Sequence, residues 1–343
     1  MKEVAMSKEW TLPDILQLAG VYKEACALQS AVVLDVFSVL DALLAKQEKV
    51  SVAELGVALE CNERAFAMLA TALVSLNFLK LDGDSLLLPN NTRKFLSRHS
   101  PDYTGHIVKH HSHILPAWTK LAQAVKQGER TREHSSITTD NEVEREAFLM
   151  GMFNVAVNQA DTIAKAMPLQ GKKRLLDLGG GPGTYAVYFC KENPELQATI
   201  FALPTTRKFA LGVVERFGLQ DRVDFAGGNF LEDTLPVGYD VAWLSQVLHG
   251  EAPAEAALLV ARAAKSLASG GIVAVQEFFV DDDRNGPIPS ALFGLNMLVG
   301  TPGGQAYTWS EVTAMLKNAG ATSVEKLPVS LPGGCGILLG HFS

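Results

Sequence analysis

Cysteine, net positive charge and long apolar runs are scarce in this sequence, and each scarcity argues against a class of protein. The chain of 343 residues has 4 cysteines, Cys26, Cys61, Cys190 and Cys335, which lie far apart and match neither metal-ligand nor redox spacing. The net charge of −7 attracts neither phosphate backbones nor anionic lipid, so nucleic acid and membrane are not expected partners. No apolar run reaches ~18 residues, and residues 1–10 are too charged for a signal peptide. These features predict a cytoplasmic protein without a metal ion.

Residues 1–100 have the outline of a winged helix, in which helices precede a hairpin. Residues 12–46 show helical apolar spacing, residues 63–75 form a further capped helix, and a hairpin spans 78–88. This outline fits either a DNA-binding helix or a dimerisation domain. Arg64 is the only cation of the helix over 63–75, whereas base and phosphate contacts need several. Packing within the subunit or against a second copy is therefore favoured.

Residues 101–167 are predicted to form a mostly helical bridge that contributes walls to a substrate pocket. Its first part contains four histidines, His106, His110, His111 and His113. The first two have the spacing of neighbours on one helix face, which would permit a metal site. No cysteine or acidic residue accompanies them at a useful offset, so a solvated helix face is the favoured interpretation.

Residues 168–343 alternate strand-like and helix-like segments, a pattern typical of a parallel sheet covered by helices on both faces. The predicted strands cover residues 174–178, 198–201, 223–226, 240–247 and 272–278. A helix over 254–267 is expected to end at Gly270-Gly271. The predicted fold class is α/β, a Rossmann-like doubly wound sheet. Ligands of such sheets bind at the carboxyl ends of the strands.

A glycine turn follows the first of these strands and carries the strongest functional signal. Gly179, Gly181 and Gly183 let the chain turn tightly and let a ligand approach the backbone. Thr184 stands where a dinucleotide fingerprint requires glycine or alanine, and no Gly-Lys-Ser/Thr follows, so the P-loop signature fails as well. Asp177 can accept hydrogen bonds from an ammonium group. The turn therefore favours a cofactor with an amine and a sulfonium over one with a pyrophosphate.

The segment 175–184, Leu-Leu-Asp-Leu-Gly-Gly-Gly-Pro-Gly-Thr, resembles the first motif of class I methyltransferases that use S-adenosylmethionine (SAM). The chain as a whole is similar to the small-molecule O-methyltransferase family of plant phenolic, acetylserotonin and bacterial natural-product enzymes. Further similar stretches are 201–204, 228–230, 243–249, 296–298 and 303–304. The resemblance implies an N-terminal winged-helix dimerisation domain, a homodimer and a small-molecule acceptor. It also implies SAM as methyl donor, with S-adenosylhomocysteine (SAH) as product.

For the cofactor, the resemblance implies contacts from the glycine turn and from the ends of the next strands. Family members usually hold the ribose with an acid at the position of Ala202, beside Leu203. The absence of that acid should weaken the binding of SAM by ~2–3 kcal/mol unless another group substitutes. Asn229 replaces an aspartate near the adenine, and Phe230 would pack on that ring. Ser245 lies where the plant enzymes have a lysine at the cofactor.

His249 matches the family's general base, at the carboxyl end of the predicted fourth strand. A hydroxyl of pKa ~10 loses its proton during attack on the methyl group, and a neutral imidazole of pKa ~6.5 suits that task. Glu277 matches the acid that orients this histidine, whereas Ala306 replaces the second acid of the plant enzymes. A histidine after an apolar strand can instead be a packed core residue, and Glu277 can be a solvated strand end. The position of His249, one strand from the glycine turn, favours catalysis.

The substrate side is implied by the matching family regions and by helical spacing. Its candidate residues are Phe148, Met152, Trp243, Phe293, Asn296 and Met297. Apolar residues at such spacing are more often core than pocket, and Asn296 is the polar exception. The favoured function is methyl transfer to a hydroxyl of a small aromatic or apolar molecule. Three other classes stay open: a SAM-binding relative with altered or lost activity, a winged-helix regulator, and an NADP-dependent oxidoreductase in which Arg207 meets the 2′-phosphate.

Overall fold

The chain divides into two units, which are described separately. The structure, a computed structural model, describes residues 8–343; residues 1–7, on which part of the signal-peptide argument rests, lie outside it. The first unit ends at Ser112 and the second begins at His113. The finer division at residues 100 and 167 stays a prediction.

Helices followed by a hairpin build the first unit. Its elements are α1 (Leu12–Gly20), α2 (Tyr22–Val33), α3 (Val36–Leu44), α4 (Val52–Ala58), α5 (Glu63–Ser75), β1 (Lys80–Asp82), β2 (Ser85–Leu87) and α6 (Asn90–Leu96), and α7 (Gly105–Trp118) crosses into the second unit. Ser51 and Glu54 form a capping box at the start of α4, and the Asn62 side chain accepts from the Ala65 amide to cap α5. Apolar side chains of α2 to α6 and of the hairpin form the core of this unit.

A seven-stranded sheet forms the centre of the second unit. Its elements are α8 (Leu121–Gln127), α9 (Glu142–Ala166), β3 (Arg174–Leu178), α10 (Thr184–Glu192), β4 (Gln197–Ala202), α11 (Arg207–Arg216), β5 (Val223–Gly227), β6 (Tyr239–Ser245), α12 (Pro253–Lys265), β7 (Leu267–Phe278), α13 (Ile288–Gly300), α14 (Trp309–Asn318), β8 (Ser323–Lys326) and β9 (Cys335–His341). The strand order is β5-β4-β3-β6-β7-β9-β8, and every neighbouring pair is parallel except the two that β9 makes. This sheet confirms the predicted α/β fold class.

The direction of strand addition reverses between β3 and β6. From β3 the chain adds β4 and β5 on one side, and it later adds β6 and β7 on the other. Helices α9, α10 and α11 contribute to the core on one face of the sheet, and α12 and α14 to the core on the other. In such sheets a crevice opens at the carboxyl ends of the two strands where the order reverses, and ligands bind there.

The predicted role of Gly270-Gly271 as a helix stop is wrong. Helix α12 already ends at Lys265, and the Ser266 amide at its C-cap donates to carbonyls of the last turn. Both glycines lie inside β7, whose pairing with β6 jumps from Tyr239–Leu267 to Val241–Ile272. Gly270 has φ of 74° at this irregularity. The glycines therefore serve a bulge in the strand instead of ending the helix.

No single helix within residues 8–343 is both long and apolar enough to cross a membrane. The consecutive segments Leu12–Val33 and Val36–Leu44, bent by 54°, meet the length and composition criteria only as a pair. Four residues of α3, in the second segment, are buried.

Candidate active site

The glycine turn between β3 and α10 has a backbone that requires glycine. Gly179 and Gly183 have φ of 73° and 72°, in the left-handed region. A Cβ on Gly179 would lie 2.5 Å from Cγ1 of Val247, and a Cβ on Gly183 would collide with Ile200. The turn is thus closely packed from the side of β6, and its backbone can approach a ligand at the start of α10.

Asp177 lies behind this turn. The residue is 1% exposed, and a Cβ on Gly180 would lie 2.5 Å from its carboxyl carbon. Burial raises the pKa of Asp177 from its ordinary value of 3.8 to about 7. The carboxyl group therefore lies directly against Gly180 of the turn, and its expected contact with the cofactor ammonium stays a prediction.

The end of β4 carries Ala202 and Leu203 where family members have an acid. Ala202 is buried in the core, and its carbonyl accepts from the Gly228 amide at 2.9 Å. The Leu203 carbonyl accepts from the Thr206 amide and hydroxyl. Arg207, the residue considered for a 2′-phosphate, donates to the Phe225 carbonyl at 3.2 Å and lies over the Phe225 ring.

Asn229 and Phe230 follow β5 and lie beside the glycine turn. The Asn229 side-chain oxygen accepts from the Leu231 amide at 3.0 Å, so one of its two lone pairs already closes a local turn. A Cβ on Gly179 would lie 3.3 Å from Cε1 of Phe230. The structure therefore brings the predicted adenine neighbour Phe230 into contact distance of the predicted cofactor turn.

The structure brings His249 and Glu277 together. His249 lies in a short 3₁₀ helix, Leu248–Gly250, after β6, and Glu277 lies near the end of β7. His249 Nδ1 is 2.7 Å from Glu277 Oε2, and the His249 amide donates to Oε1 at 3.3 Å. The Glu277 side chain is 2% exposed and that of His249 15%. The carboxylate thus fixes the imidazole through Nδ1 and leaves Nε2 for another partner.

Aromatic rings lie next to His249, together with two residues that the sequence did not single out. The Phe293 ring stands edge-on to His249 with centroids 4.6 Å apart, and Phe278 packs on Phe293 at 4.4 Å. Phe278 pairs with Cys335 across β7 and β9. Gln246 Nε2 donates to Cys335 Sγ at 3.5 Å. Neither Gln246 nor Cys335 was predicted as a site residue. Gln246 could have been, because it precedes the predicted base His249 by only three positions.

Ser245 belongs to a polar group beneath this site. Its hydroxyl donates to Gln276 Oε1 at 2.8 Å, and Gln276 is fully buried on β7. The Tyr185 hydroxyl, on α10, lies near Gln276, Ser245 and Gln159, and burial raises its pKa to about 12. The predicted contact of Ser245 with the cofactor stays a prediction.

Trp243 lies in the core instead of at an open surface. Its side chain has no exposed area, and its ring packs on Tyr185 and Phe189 with centroids 5.2 and 5.0 Å away. These contacts favour a core position for Trp243, which is the alternative that the sequence left open for each candidate substrate residue. Trp243 is therefore not among the proposed acceptor walls.

The other candidate substrate residues lie on two helices. Phe148 and Met152 are half-buried on α9, whose Leu149 would come within 3.8 Å of a Cβ on Gly181. On α13, Met297 is 8% exposed, and Asn296 Oδ1 accepts from the Trp118 indole. Ala306, at the position of the family's second acid, is buried, and a Cβ on Gly294 of α13 would lie 3.5 Å from its methyl group. No group of three or more His, Cys, Asp or Glu side chains in residues 8–343 has a metal-binding arrangement.

A doubly wound sheet with a glycine turn at its reversal point and a buried His–Glu pair one strand away defines a cofactor-dependent α/β enzyme. The model of the O-methyltransferase domain family matches residues 118–322. The chain therefore belongs to this family and is a SAM-dependent O-methyltransferase.

Similar proteins cover most of the chain. It is 31% identical over 324 residues to the tetracenomycin polyketide synthesis 8-O-methyl transferase TcmO of Streptomyces glaucescens, covering 93% of this chain and 94% of that one. It is 32% identical over 246 residues to the 3-hydroxy-5-methyl-1-naphthoate 3-O-methyltransferase of Streptomyces sahachiroi, covering 70% of each. The solved structure of an O-methyltransferase family protein from Burkholderia thailandensis superposes with a TM-score of 0.86 at 26% identity, covering 98% of this chain and 99% of that one.

Proposed function

We propose that this enzyme methylates a hydroxyl of a small aromatic acceptor and that His249 is the general base. The observation that carries the proposal is the 2.7 Å contact between His249 Nδ1 and Glu277. Because the Glu277 carboxylate accepts a hydrogen bond from Nδ1–H, the neutral imidazole has its lone pair on Nε2. Nε2 takes the hydroxyl proton as the oxygen attacks, and the buried carboxylate stabilises the resulting imidazolium. Phe278 and Phe293 give the site its aromatic surface.

The glycine turn and the ends of β4 to β6 fit SAM. The turn has a backbone that a Cβ would obstruct, and Phe230 lies over Gly179. We assign the adenine to Asn229 and Phe230, the ribose to Ala202 and Leu203, and the methionine end to the turn and Ser245. Bound there, SAM supplies an activated methyl group whose transfer leaves SAH. Gly181, Gly183 and the carboxyl of Asp177 shape the start of α10, where backbone N–H groups favour the methionine carboxylate.

Phe148 and Met152 of α9 and Phe293, Asn296 and Met297 of α13 are proposed as acceptor walls. All but Met297 retain partly exposed surface. One lone pair of the Asn296 oxygen accepts from Trp118, so its amide N–H groups and its second lone pair remain for a substrate oxygen.

Replacement of the base tests this proposal. We expect His249→Ala to lower the rate of methyl transfer by roughly 10²–10⁴-fold, because proton transfer to a positioned base contributes about that much. Calorimetric titration should show unchanged SAM affinity. His99→Ala, at an exposed histidine of the first unit, is the matched control and should keep full activity. Full activity in His249→Ala would remove His249 from its role.

A homodimer is proposed from the exposed surface of the first unit. Helix α1 has no buried residue, and Leu12, Leu16 and Leu18 are 68, 64 and 59% exposed. A helix with this much exposed apolar surface and no buried side is a candidate interaction site. Light scattering should give twice the chain mass for the wild type and a single chain mass for Leu12→Glu/Leu16→Glu.

The free thiols of all 4 cysteines support a reducing compartment such as the cytoplasm.

A further inference from the structure

Five side chains lie near one another beside the base, and we call this group the acceptor ring. His249 touches Phe293, Phe293 touches Phe278, Phe278 pairs with Cys335, Cys335 contacts Gln246, and Gln246 precedes His249 by three residues. All five are partly exposed, whereas the adjacent residues Leu248, Glu277 and Gly336 are buried. The acceptor ring therefore retains surface that a ligand can contact.

The backbone at Gln246 is held in a costly conformation. Its φ of 55° lies in the left-handed region, which costs a non-glycine residue roughly 1–2 kcal/mol. The Gln246 amide donates to the carbonyl of the fully buried Gln276 at 2.8 Å, and this bond fixes the turn. Such conformations persist where surrounding structure enforces them, and they cluster at functional sites. The turn directs the chain from β6 to His249 and places the Gln246 side chain at Cys335.

The polar groups on this side of the base are uncharged. Beside Gln246 lie Cys335, Ser245 and Gln276, with Tyr185 behind them. Burial raises the pKa of Cys335 to about 12, as it does for Tyr185, so both stay neutral at physiological pH. Within residues 8–343, no lysine or arginine has a hydrogen bond or ion pair to the acceptor ring. Its charged neighbours are both acidic: the Glu277 carboxylate, and Glu251, which interacts electrostatically with His249.

This pattern discriminates between acceptors. An anionic substituent next to the acceptor hydroxyl would be desolvated near Glu277 with no lysine or arginine in contact to compensate it, which is unfavourable. An uncharged oxygen would instead find a donor and an acceptor in one amide. One N–H of Gln246 is directed to Cys335, so the second N–H and Oε1 are available.

We propose that Gln246 is a specificity residue that binds an uncharged oxygen substituent, a hydroxyl or carbonyl, next to the acceptor hydroxyl that is methylated. This inference rests on the proposed function and names its substrate class, an oxygenated aromatic molecule without a carboxylate at that position.

The test uses three probes with one ring system: 2-naphthol, 2,3-dihydroxynaphthalene and 3-hydroxy-2-naphthoate. Each is titrated calorimetrically into the SAH-loaded full chain of the wild type, Gln246→Leu and the control Gln220→Leu, which makes the same change at an exposed position. The wild type should bind the dihydroxy probe about tenfold more tightly than 2-naphthol, as expected for one hydrogen bond of ~1.4 kcal/mol, and the carboxylate probe most weakly. Gln246→Leu should lose the preference, and Gln220→Leu should keep it.

Several results would overturn the inference. These are equal wild-type binding of the first two probes, tightest binding of the carboxylate, no binding of any probe, or a preference that persists in Gln246→Leu. A loss of SAH affinity in Gln246→Leu would assign this side chain to the cofactor instead. Failure of the proposed function is seen separately, as absence of methyl transfer from SAM by the wild type or as full activity in His249→Ala.

Discussion

At the scale of single residues, the Glu277 carboxylate determines what the imidazole can do. It accepts from the ring nitrogen and from the main chain of His249 in a buried setting. Glu277→Gln keeps the shape of the side chain but removes the charge that stabilises an imidazolium. We expect kcat to fall by roughly 10²-fold with little change in the KM for SAM. The control is Glu325→Gln, which changes another His–Glu pair, with His341 on β9. Equal losses in both variants would contradict a special role for Glu277.

Asp177 provides a second prediction at this scale, for the protein without cofactor. Its pKa of about 7 in the folded chain lies above its ordinary value of 3.8. The folded state therefore binds more protons than the unfolded state between these two values, and this residue's contribution to stability falls as pH rises from about 4 to about 7. Asp177→Asn has no such titration. Urea unfolding from pH 4 to 8 should show the stability of the wild type declining relative to the variant, and parallel pH dependences would refute this assignment.

The residues that the sequence could predict share one property. The glycine turn, His249 and Glu277 each lie in or directly after a strand that the alternation predicts, and the resemblance to the family singles out the histidine and the glutamate there. Cys335 was not predictable in this way, because it reaches the acceptor ring only through the antiparallel pairing of β9 with β7. The left-handed backbone of Gln246 also has no signal in the residue type.

At the scale of elements, side-chain caps define where several helices begin. In α14, the Thr308 hydroxyl accepts from the Glu311 amide at 3.2 Å, and Glu311 Oε2 accepts from the Thr308 amide at 2.7 Å. Thr308→Ala should lower the free energy of unfolding by about 1 kcal/mol, because one amide loses its acceptor. Thr162→Ala, at an exposed position inside α9, should cause no loss. Chemical denaturation measures both, and equal stability of the two variants would contradict the capping role.

The elements also show where sequence patterns fall short. The capped start of α5 was predictable because a side-chain cap is purely local. The prediction that Gly270-Gly271 ends a helix was wrong, because a glycine pair is compatible with a strand bulge as well as with a helix end. Only the pairing of β7 with β6 distinguishes the two. Strands β8 and β9 were not predicted, and their antiparallel pairing breaks the strand–helix alternation that identified the others.

At the scale of the whole molecule, the order of strands in the sheet determines where the predicted cofactor and base residues lie relative to one another. Asn229 and Phe230 follow β5, the glycine turn follows β3, and His249 follows β6, which lies on the other side of β3 from β4 and β5. A cofactor laid across these strand ends with its adenine at β5 has its methyl-bearing end towards His249. The α/β class and the cofactor followed from the sequence, because strand alternation and a local glycine motif specify them.

The most direct measurement of the central claim is the tautomer of His249. Nitrogen-15 NMR of the SAH-bound enzyme at a pH where the ring is neutral distinguishes the two ring nitrogens. If Glu277 holds the ring as the 2.7 Å contact indicates, the proton lies on Nδ1 and Nε2 is free to accept the acceptor's proton. A neutral ring with its proton on Nε2 would contradict the account, because that nitrogen could not act as the base.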